Sequence, residues 1–122
     1  MTNKAPGFVD RPDHKIMLDT GPDPVTVTLN GDIVAVTTAA IVMREDGHPV
    51  RAYIPKSDLT AILTPTEKTT HCPFKGDTVY YDVEAAGQRF ENAAWSYDHP
   101  YDEMAAIAGH VAFDDRFVVK IG

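Results

Sequence analysis

The sequence predicts a mainly β single domain in which antiparallel sheets pack as a sandwich or open barrel, with one or two short helices and an extended N-terminal arm. Three observations predict this class. Apolar and polar residues alternate in several short segments, as they do on half-buried strands. Turn dipeptides such as Asn30-Gly31 and Asp46-Gly47 separate these segments. The segments recur at near-regular spacing along the 122 residues, which is typical of antiparallel all-β domains.

Residues 1–24 are predicted to form the arm, and residues 25–122 the single β-rich domain. Four of the nine prolines lie in the arm, at positions 6, 12, 22 and 24. Proline lacks a backbone donor and disfavours helix in the residue before it, so this segment is expected to be extended. Residues 16–18 are apolar enough to dock on the domain as a short edge segment.

The domain is predicted to begin with two hairpins. The first joins strands over 25–29 and 33–36 through Asn30-Gly31. Asn-Gly favours a tight hairpin turn because that turn requires positive φ at both central positions. The second hairpin joins strands over 40–43 and 50–54.

A short helix is predicted over 57–63. Ser57 would be its N-cap, Asp58 would place a favourable charge in its first turn, and Pro65 would end it. This position accounts for Asp58 better than a role as a second catalytic base does.

The rest of the domain is predicted to be β-rich. Strands are expected over 78–83 and 89–96, joined by a two-residue turn, and one or two helical turns over 101–107. Strands over 111–113 and 117–121 are then predicted to form a last hairpin.

Composition argues against several partners and compartments. Eleven Lys and Arg against eighteen Asp and Glu give a net charge of −7 without any basic cluster, so neither nucleic acid nor an anionic membrane is an expected partner. No apolar run reaches the ~20 residues that a membrane-spanning helix needs, and no apolar signal core is present. The single cysteine cannot form an internal disulfide, which fits a cytoplasmic protein.

Residues 69–76 combine the only cysteine with a histidine and a lysine. Cys72 is a candidate catalytic nucleophile, since a thiolate is nucleophilic and a nearby cation lowers the pKa of a thiol. His71 is poorly placed to help, because neighbouring residues on an extended chain point in different directions. Lys75 is a candidate catalytic residue and anion clamp. Two alternatives stay open: Cys72 as a small packing residue, and Lys75 as a solvent-facing turn residue.

Three aromatic residues, Tyr53, Trp95 and Tyr97, are candidate ligand-binding residues. Alternation on a strand places Trp95 and Tyr97 on the same face, where Tyr97 is the better pocket residue and Trp95 is more typical of a core. Arg44 is a further candidate for ligand binding. Glu45 is a candidate catalytic base or a partner that orients the lysine.

No metal and no cofactor are predicted. The five histidines are scattered singly, and no Cys-x-x-Cys pair is present. No nucleotide or other cofactor fingerprint occurs in the chain.

Several motifs together resemble one known family. In chain order they are the Asn30-Gly31 turn, the strand that contains Glu45, Tyr53-Ile54-Pro55 before Asp58, Cys72-Pro73-Phe74-Lys75-Gly76 before Tyr80-Tyr81, Asn92-Ala93-Ala94-Trp95-Ser96-Tyr97 before Pro100, and Ile107-Ala108-Gly109-His110-Val111-Ala112-Phe113. Over residues 25–119 the sequence is identified as a member of the bacterial domain-of-unknown-function family numbered 427, which carries a nucleotidyltransferase-like label. The resemblance implies a small β-rich domain similar to the β-tent of Mss4-like proteins.

Parts of that resemblance do not carry over to this chain. Several β-tent proteins hold zinc on two cysteine pairs, and this chain has one cysteine. Many family members have a Ser-x-Arg-Ala stretch where this chain has residues 37–40, so the family's arginine is absent at Ala39. If that arginine contributes to a ligand site in the family, this protein either lacks the function or uses Arg44 or Arg51 instead. No pair of metal-binding carboxylates of the kind used in nucleotidyl transfer stands out.

The residues favour a domain that binds a small anionic molecule, with enzymatic activity at the loop of Cys72 and Lys75 as a further expectation. The alternative is a non-catalytic protein-interaction or homodimerisation module, since the chain has no complete catalytic motif. Whether the chain is an enzyme stays open. Nucleic-acid processing, which the family label suggests, is disfavoured by the acidic charge balance.

Overall fold

The computed structural model describes residues 2–21 and 23–122, so Met1 and Pro22 of the predicted arm lie outside the described residues. The fold is mainly β, as predicted. The strands are β1 Ile16–Asp19, β2 Val25–Leu29, β3 Asp32–Thr37, β4 Ile41–Glu45, β5 Arg51–Pro55, β6 Ile62–Cys72, β7 Gly76–Ala85, β8 Gln88–Ser96, β9 His110–Phe113 and β10 Val118–Ile121. A helical turn, α1, spans Gly7–Asp10, and 3-10 helices span Lys56–Asp58 and Asp102–Ile107. No helix among the described residues is long and apolar enough to cross a membrane.

The strands form two antiparallel sheets, and neither closes into a barrel within the described part of the chain. The large sheet has the order β1-β4-β5-β9-β8-β7-β6, and the small sheet has the order β10-β2-β3. The hairpins predicted for β2–β3 and β4–β5 are confirmed, and so is the β7–β8 hairpin. Its turn residues Ala86 and Gly87 have φ of 52° and 72°, as a tight hairpin turn requires.

The last hairpin was predicted wrongly, because β10 pairs with β2 of the small sheet and not with β9. The residue that redirects the chain is Phe117, which is buried in the core. Its ring centroid lies 5.0 Å from that of Phe113 and 5.8 Å from that of Phe90. The chain crosses from the large sheet to the small sheet at Phe117, where this ring is buried.

The helix predicted over 57–63 is also wrong, since only Lys56–Asp58 is helical and β6 begins at Ile62. Leu59, Ala61 and Leu63 all pack on the main core, and this period of two suits an extended chain. Pro65 is tolerated inside β6 because β6 is an edge strand of the large sheet. The helical turns predicted over 101–107 are confirmed.

The N-terminal segment is less extended than predicted. α1 interrupts it directly after Pro6, a residue whose fixed φ suits the start of a helix. Residues 16–19 form β1, which pairs with β4 as the expected edge segment. Ala5 and Gly7 are buried against the rest of the chain. The division into an arm and a domain at residue 25 stays a prediction.

The large sheet is covered on both faces. On its first face, Ala52 and Ile54 of β5 join the main core with the inward residues of the small sheet. On its second face, Tyr53 joins a second cluster that includes Met104 and Ile107 of the 3-10 helix, with Phe8 of α1 packed against it. Alternation along β5 therefore sends successive side chains to two different environments.

Gly76→Ala is expected to reduce the free energy of unfolding by about 2–3 kcal/mol, measured by urea denaturation. Gly76 begins β7 with φ of +118°, where L residues are strained, and a Cβ there would lie 3.3 Å from the His99 carbonyl oxygen. The matched control is Gly47→Ala, which has φ of +75° but nothing within 4 Å of the new Cβ, so its cost should be about 1 kcal/mol. Equal losses in the two variants would contradict a role for the close contact.

Candidate functional site

A cavity of about 430 Å³ opens on the second face of the large sheet. This volume suits a small ligand. The lining residues are Met43, Glu45, His48, Pro49, Arg51, Tyr53, Lys68, Lys75, Tyr80, Asn92, Trp95, Tyr97 and Asp114. They come from β4 to β8, from the connecting turns and from Asp114 after β9, so most of the wall is built on paired strands.

The aromatic floor of the cavity follows from the strand register. Trp95 of β8 pairs with Tyr80 of β7 on one side and with Ala112 of β9 on the other. The small side chain of Ala112 leaves room between Trp95 and Tyr53 of β5. The Trp95 indole Nε1–H donates to the Tyr53 hydroxyl at 3.3 Å, which fixes the two rings relative to each other. Burial raises the pKa of Tyr97 to about 12, so the hydroxyl of this residue is protonated at neutral pH.

Two irregularities in the strands bring further polar side chains to the cavity. The pairing of β6 with β7 shifts between Pro65 and Thr69, and in this interval Lys68 lies over the Tyr80 ring, with Nζ 4.5 Å from the ring centroid. The pairing of β7 with β8 shifts as well, and Asn92 there has φ of 50°. Bulges of this kind redirect individual side chains without ending the sheet.

The most buried charges in the cavity are Glu45, at the end of β4, and Lys75, in the turn between β6 and β7. Lys75 Nζ donates to Glu45 Oε1 at 2.5 Å, and the two side chains are 11% and 6% exposed. Hydrogen bonds fix the turn: the Lys75 backbone N–H donates to the Cys72 carbonyl, and the Lys75 carbonyl accepts from the Tyr101 N–H at 3.0 Å. Lys75 is therefore held by an ion pair and does not face solvent freely.

Two histidines complete the surroundings of Glu45. His14 Nε2 lies 2.9 Å from Glu45 Oε2, and His48 Nε2 lies 3.7 Å from the same oxygen. Burial of the carboxyl group favours its neutral form, but hydrogen bonds from Lys75 and His14 and the charge of Lys75 outweigh this effect and lower the pKa of Glu45. Glu45 is thus held as a carboxylate whose charge is matched mainly by the lysine ammonium.

The structure brings together five of the residues predicted from the sequence. Glu45, Lys75, Tyr53, Trp95 and Tyr97 all line the cavity. Trp95 contributes to the wall as well as to the packing behind it, and it lies on the same side as Tyr97, as alternation predicts.

Two predicted residues lie elsewhere. Cys72 is partly buried and packs against the second cluster, and it is not among the residues that line the cavity. Arg44 is exposed on β4 beside Lys15 and Met17, in a shallow groove. Arg51, the other arginine considered as a replacement for the one absent at Ala39, does line the cavity. The catalytic role of Cys72 and the binding role of Arg44 stay predictions.

Sequence reasoning missed several residues that the structure places in or beside the cavity. His14 and His48 stand far from residues 69–76 in the chain, and no local pattern connects them to it. Lys68 and Asn92 depend on the two strand irregularities. Pro65 within a β-rich run was the available signal for the first irregularity, since proline in a strand marks an edge or a bulge.

A metal ion at Glu45 is disfavoured by the groups already around it. The Lys75 ammonium occupies one carboxylate oxygen and His14 the other. Residues 2–21 and 23–122 contain no group of three His, Cys, Asp or Glu side chains arranged to hold a metal ion.

The fold and the cavity define a mainly β protein of two antiparallel sheets with a polar, aromatic-floored pocket on one of them. The family model described as Domain of unknown function (DUF427) matches residues 17–121, and the chain belongs to that family. The predicted membership is confirmed, and the nucleotidyltransferase-like label belongs to the same family model. A search of curated proteins found no match to the chain.

Proposed function

We propose that this protein binds a small anionic molecule in the cavity on the second face of the large sheet. One observation carries the proposal: Arg51 and Lys68 line a cavity with an aromatic floor, next to the Lys75 that is paired with Glu45. The Arg51 guanidinium lies 5.2 Å from the Trp95 ring centroid, and Lys68 lies over Tyr80 in the same way. A local concentration of positive charge attracts an anion even to a chain that is acidic as a whole.

The Tyr53 hydroxyl supplies a second argument. The side chain belongs to a residue that is 1% exposed, and its hydroxyl oxygen accepts the Trp95 N–H. None of the hydrogen bonds among the described residues uses the Tyr53 hydroxyl proton. Buried donors are normally satisfied, and an oxygen atom of a bound anion would accept this one.

The charges that would bind the ligand differ from those expected from sequence. The charge of Lys75 is matched by Glu45, whereas Lys68 has no acidic partner within 4 Å among the described residues. Arg51 pairs with Asp115 at 3.0 Å, but that carboxylate is largely exposed to solvent and screened. Arg51 and Lys68 are therefore proposed as the main anion-binding residues. Chemistry at this site would use Glu45 and Lys75 as its acid–base pair.

Thermal denaturation with inorganic phosphate, pyrophosphate, citrate and adenosine monophosphate tests the proposal. At ~100 times its dissociation constant, a bound anion should add about 2.7 kcal/mol to the free energy of unfolding. Sodium chloride at equal ionic strength controls for screening. Lys68→Gln and Arg51→Gln should lose most of the stabilisation, whereas Lys120→Gln, the same charge change on β10 of the small sheet, should keep it. Equal stabilisation of all four proteins would contradict binding in the cavity.

The alternative, a non-catalytic interaction or homodimerisation module, stays a prediction. The specific observation that favours it is the outer face of the small sheet, where Ile33, Val36 and Val118 are exposed. Register places all three beside the outward threonines of β2. This face is the surface that such a module would use.

A further inference from the structure

We propose that residues 3–15 form part of the candidate site, and that His14 is a positioning residue that holds the Glu45 carboxylate against Lys75. This inference goes beyond the proposed ligand binding and does not depend on which molecule occupies the cavity. The N-terminal segment also lies before the residues matched by the family model, which begin at residue 17.

The N-terminal segment packs against the β6–β7 turn that carries Lys75. The Gly7 N–H donates to the Pro73 carbonyl at 2.9 Å, and the Phe8 ring meets the Phe74 ring edge-on with centroids 4.9 Å apart. A Cβ on Gly7 would lie only 2.8 Å from the Phe74 ring and 2.9 Å from the Pro73 oxygen. The segment therefore packs on the Lys75 turn as closely as a glycine allows.

Further bonds fasten the segment on both sides of this contact. Before it, the Asn3 carbonyl accepts the Asp102 N–H at 2.9 Å, and the Ala5 N–H donates to Glu103 Oε1 at 2.9 Å. After it, the Lys15 carbonyl accepts the Asp46 N–H at 3.0 Å, one residue beyond Glu45. Residues 3–15 thus tie the turn that carries Lys75 to the end of the strand that carries Glu45.

His14 stands where these two elements meet. Its side chain is 9% exposed and its ring stacks on Phe74, next to Lys75, with centroids 4.4 Å apart. Its Nε2 is the hydrogen-bond partner of Glu45 Oε2 at 2.9 Å, while Lys75 takes Oε1. With both oxygens engaged, the carboxylate has one orientation, and the lysine has one partner. A buried carboxylate that loses one of these bonds is left partly unsatisfied.

The groups with the largest electrostatic effect on Glu45 come from three elements, so a change in the pKa of Glu45 can be traced to one of them. These groups are Lys75 from the β6–β7 turn, His14 from the N-terminal segment and His48 from the β4–β5 turn. The hydroxyls of Tyr53 and Tyr97 also face Glu45, Arg51 of β5 lines the same cavity, and Lys15, Arg44 and Asp46 line the adjoining groove.

The experiment is an NMR titration of the Glu45 side-chain carboxyl carbon in the full chain. His14→Phe keeps a flat ring against Phe74 but removes the N–H donor, so the pKa of Glu45 should rise. His14→Gln restores a neutral N–H donor at a similar position and should return the pKa toward the wild-type value. His110→Phe, at a histidine that bonds the Ala108 carbonyl, should leave it unchanged.

Two outcomes would overturn the role of His14. The first is an unchanged pKa of Glu45 in His14→Phe. The second is a rise of the Glu45 pKa in His14→Gln as large as that in His14→Phe, because ring packing would then explain the whole effect. Gly7→Ala tests the segment without altering any charged group, and it should also raise the pKa of Glu45. Its control, Gly21→Ala, adds a methyl group whose nearest neighbour is 3.5 Å away. If the pKa of Glu45 is the same in Gly7→Ala as in Gly21→Ala, the segment is not involved. This result would refute the proposal even if His14→Phe fails to fold.

Discussion

Lys75→Met is expected to lower the free energy of unfolding by about 3 kcal/mol in urea denaturation at pH 7. The methionine fills a similar volume but leaves Glu45 as a carboxylate that is 6% exposed and has lost its ion-pair partner. Removing one member of a buried pair is costly because the remaining charge still has to be desolvated. Lys120→Met, at an exposed lysine of β10, is the matched control and should change stability by no more than about 0.5 kcal/mol.

The double variant Glu45→Leu/Lys75→Met should recover much of the lost stability, since it removes both charges together. The effect of Lys75→Met should also depend on pH. The pKa of Glu45 is lowered below 4.5 in the folded protein, so its stabilising contribution is complete above pH 4.5 and is lost as the pH falls through the folded value. The difference between wild type and variant should therefore shrink in acid. If Lys75→Met were as stable as the wild type, the Glu45–Lys75 pair would not be desolvated in the folded protein.

Ile107→Ala is expected to cost about 3 kcal/mol, because Ile107 is 0% exposed and its truncation leaves a void behind the cavity. The residue ends the 3-10 helix Asp102–Ile107 and packs in the cluster that contains Tyr53 and Tyr97. Chemical denaturation measures the loss. Ile33→Ala removes the same atoms at a position that is 59% exposed, so it should cost about 0.5 kcal/mol or less. Similar losses at the two positions would contradict the placement of Ile107 in a packed core.

The parts of the fold that sequence predicted are those specified by neighbouring residues. Asn30-Gly31 and Ala86-Gly87 adopt positive φ and join strands that are adjacent in the chain. The pairing of β10 with β2 joins segments about ninety residues apart and is driven by burial of Phe117, which no local pattern encodes. The capping signal of Ser57 predicts a helix over 57–63, but Leu59, Ala61 and Leu63 pack on the core at every second residue, which only an extended chain allows.

The same distinction applies to the site. Alternation was enough to place Trp95 and Tyr97 together, and Lys75 was recognisable from its turn. Sequence makes Glu45 a candidate partner of Lys75, but only the fold brings the two side chains together. His14 enters through long-range contacts of the N-terminal segment, whose prolines indicated an extended chain and gave no sign of where it would dock.

The alternation of β5 between a packed core and a cavity limits how this protein can change its length. An insertion or deletion of one residue within β5 would turn Ala52 and Ile54 toward the cavity and Tyr53 toward the small sheet. Gains and losses of residues should therefore be tolerated in turns away from the cavity, such as Asn30-Gly31, and rejected inside β5. Exchanges of single side chains at positions 51 and 95 face no such limit, so the lining of the cavity can vary while strand length stays constant.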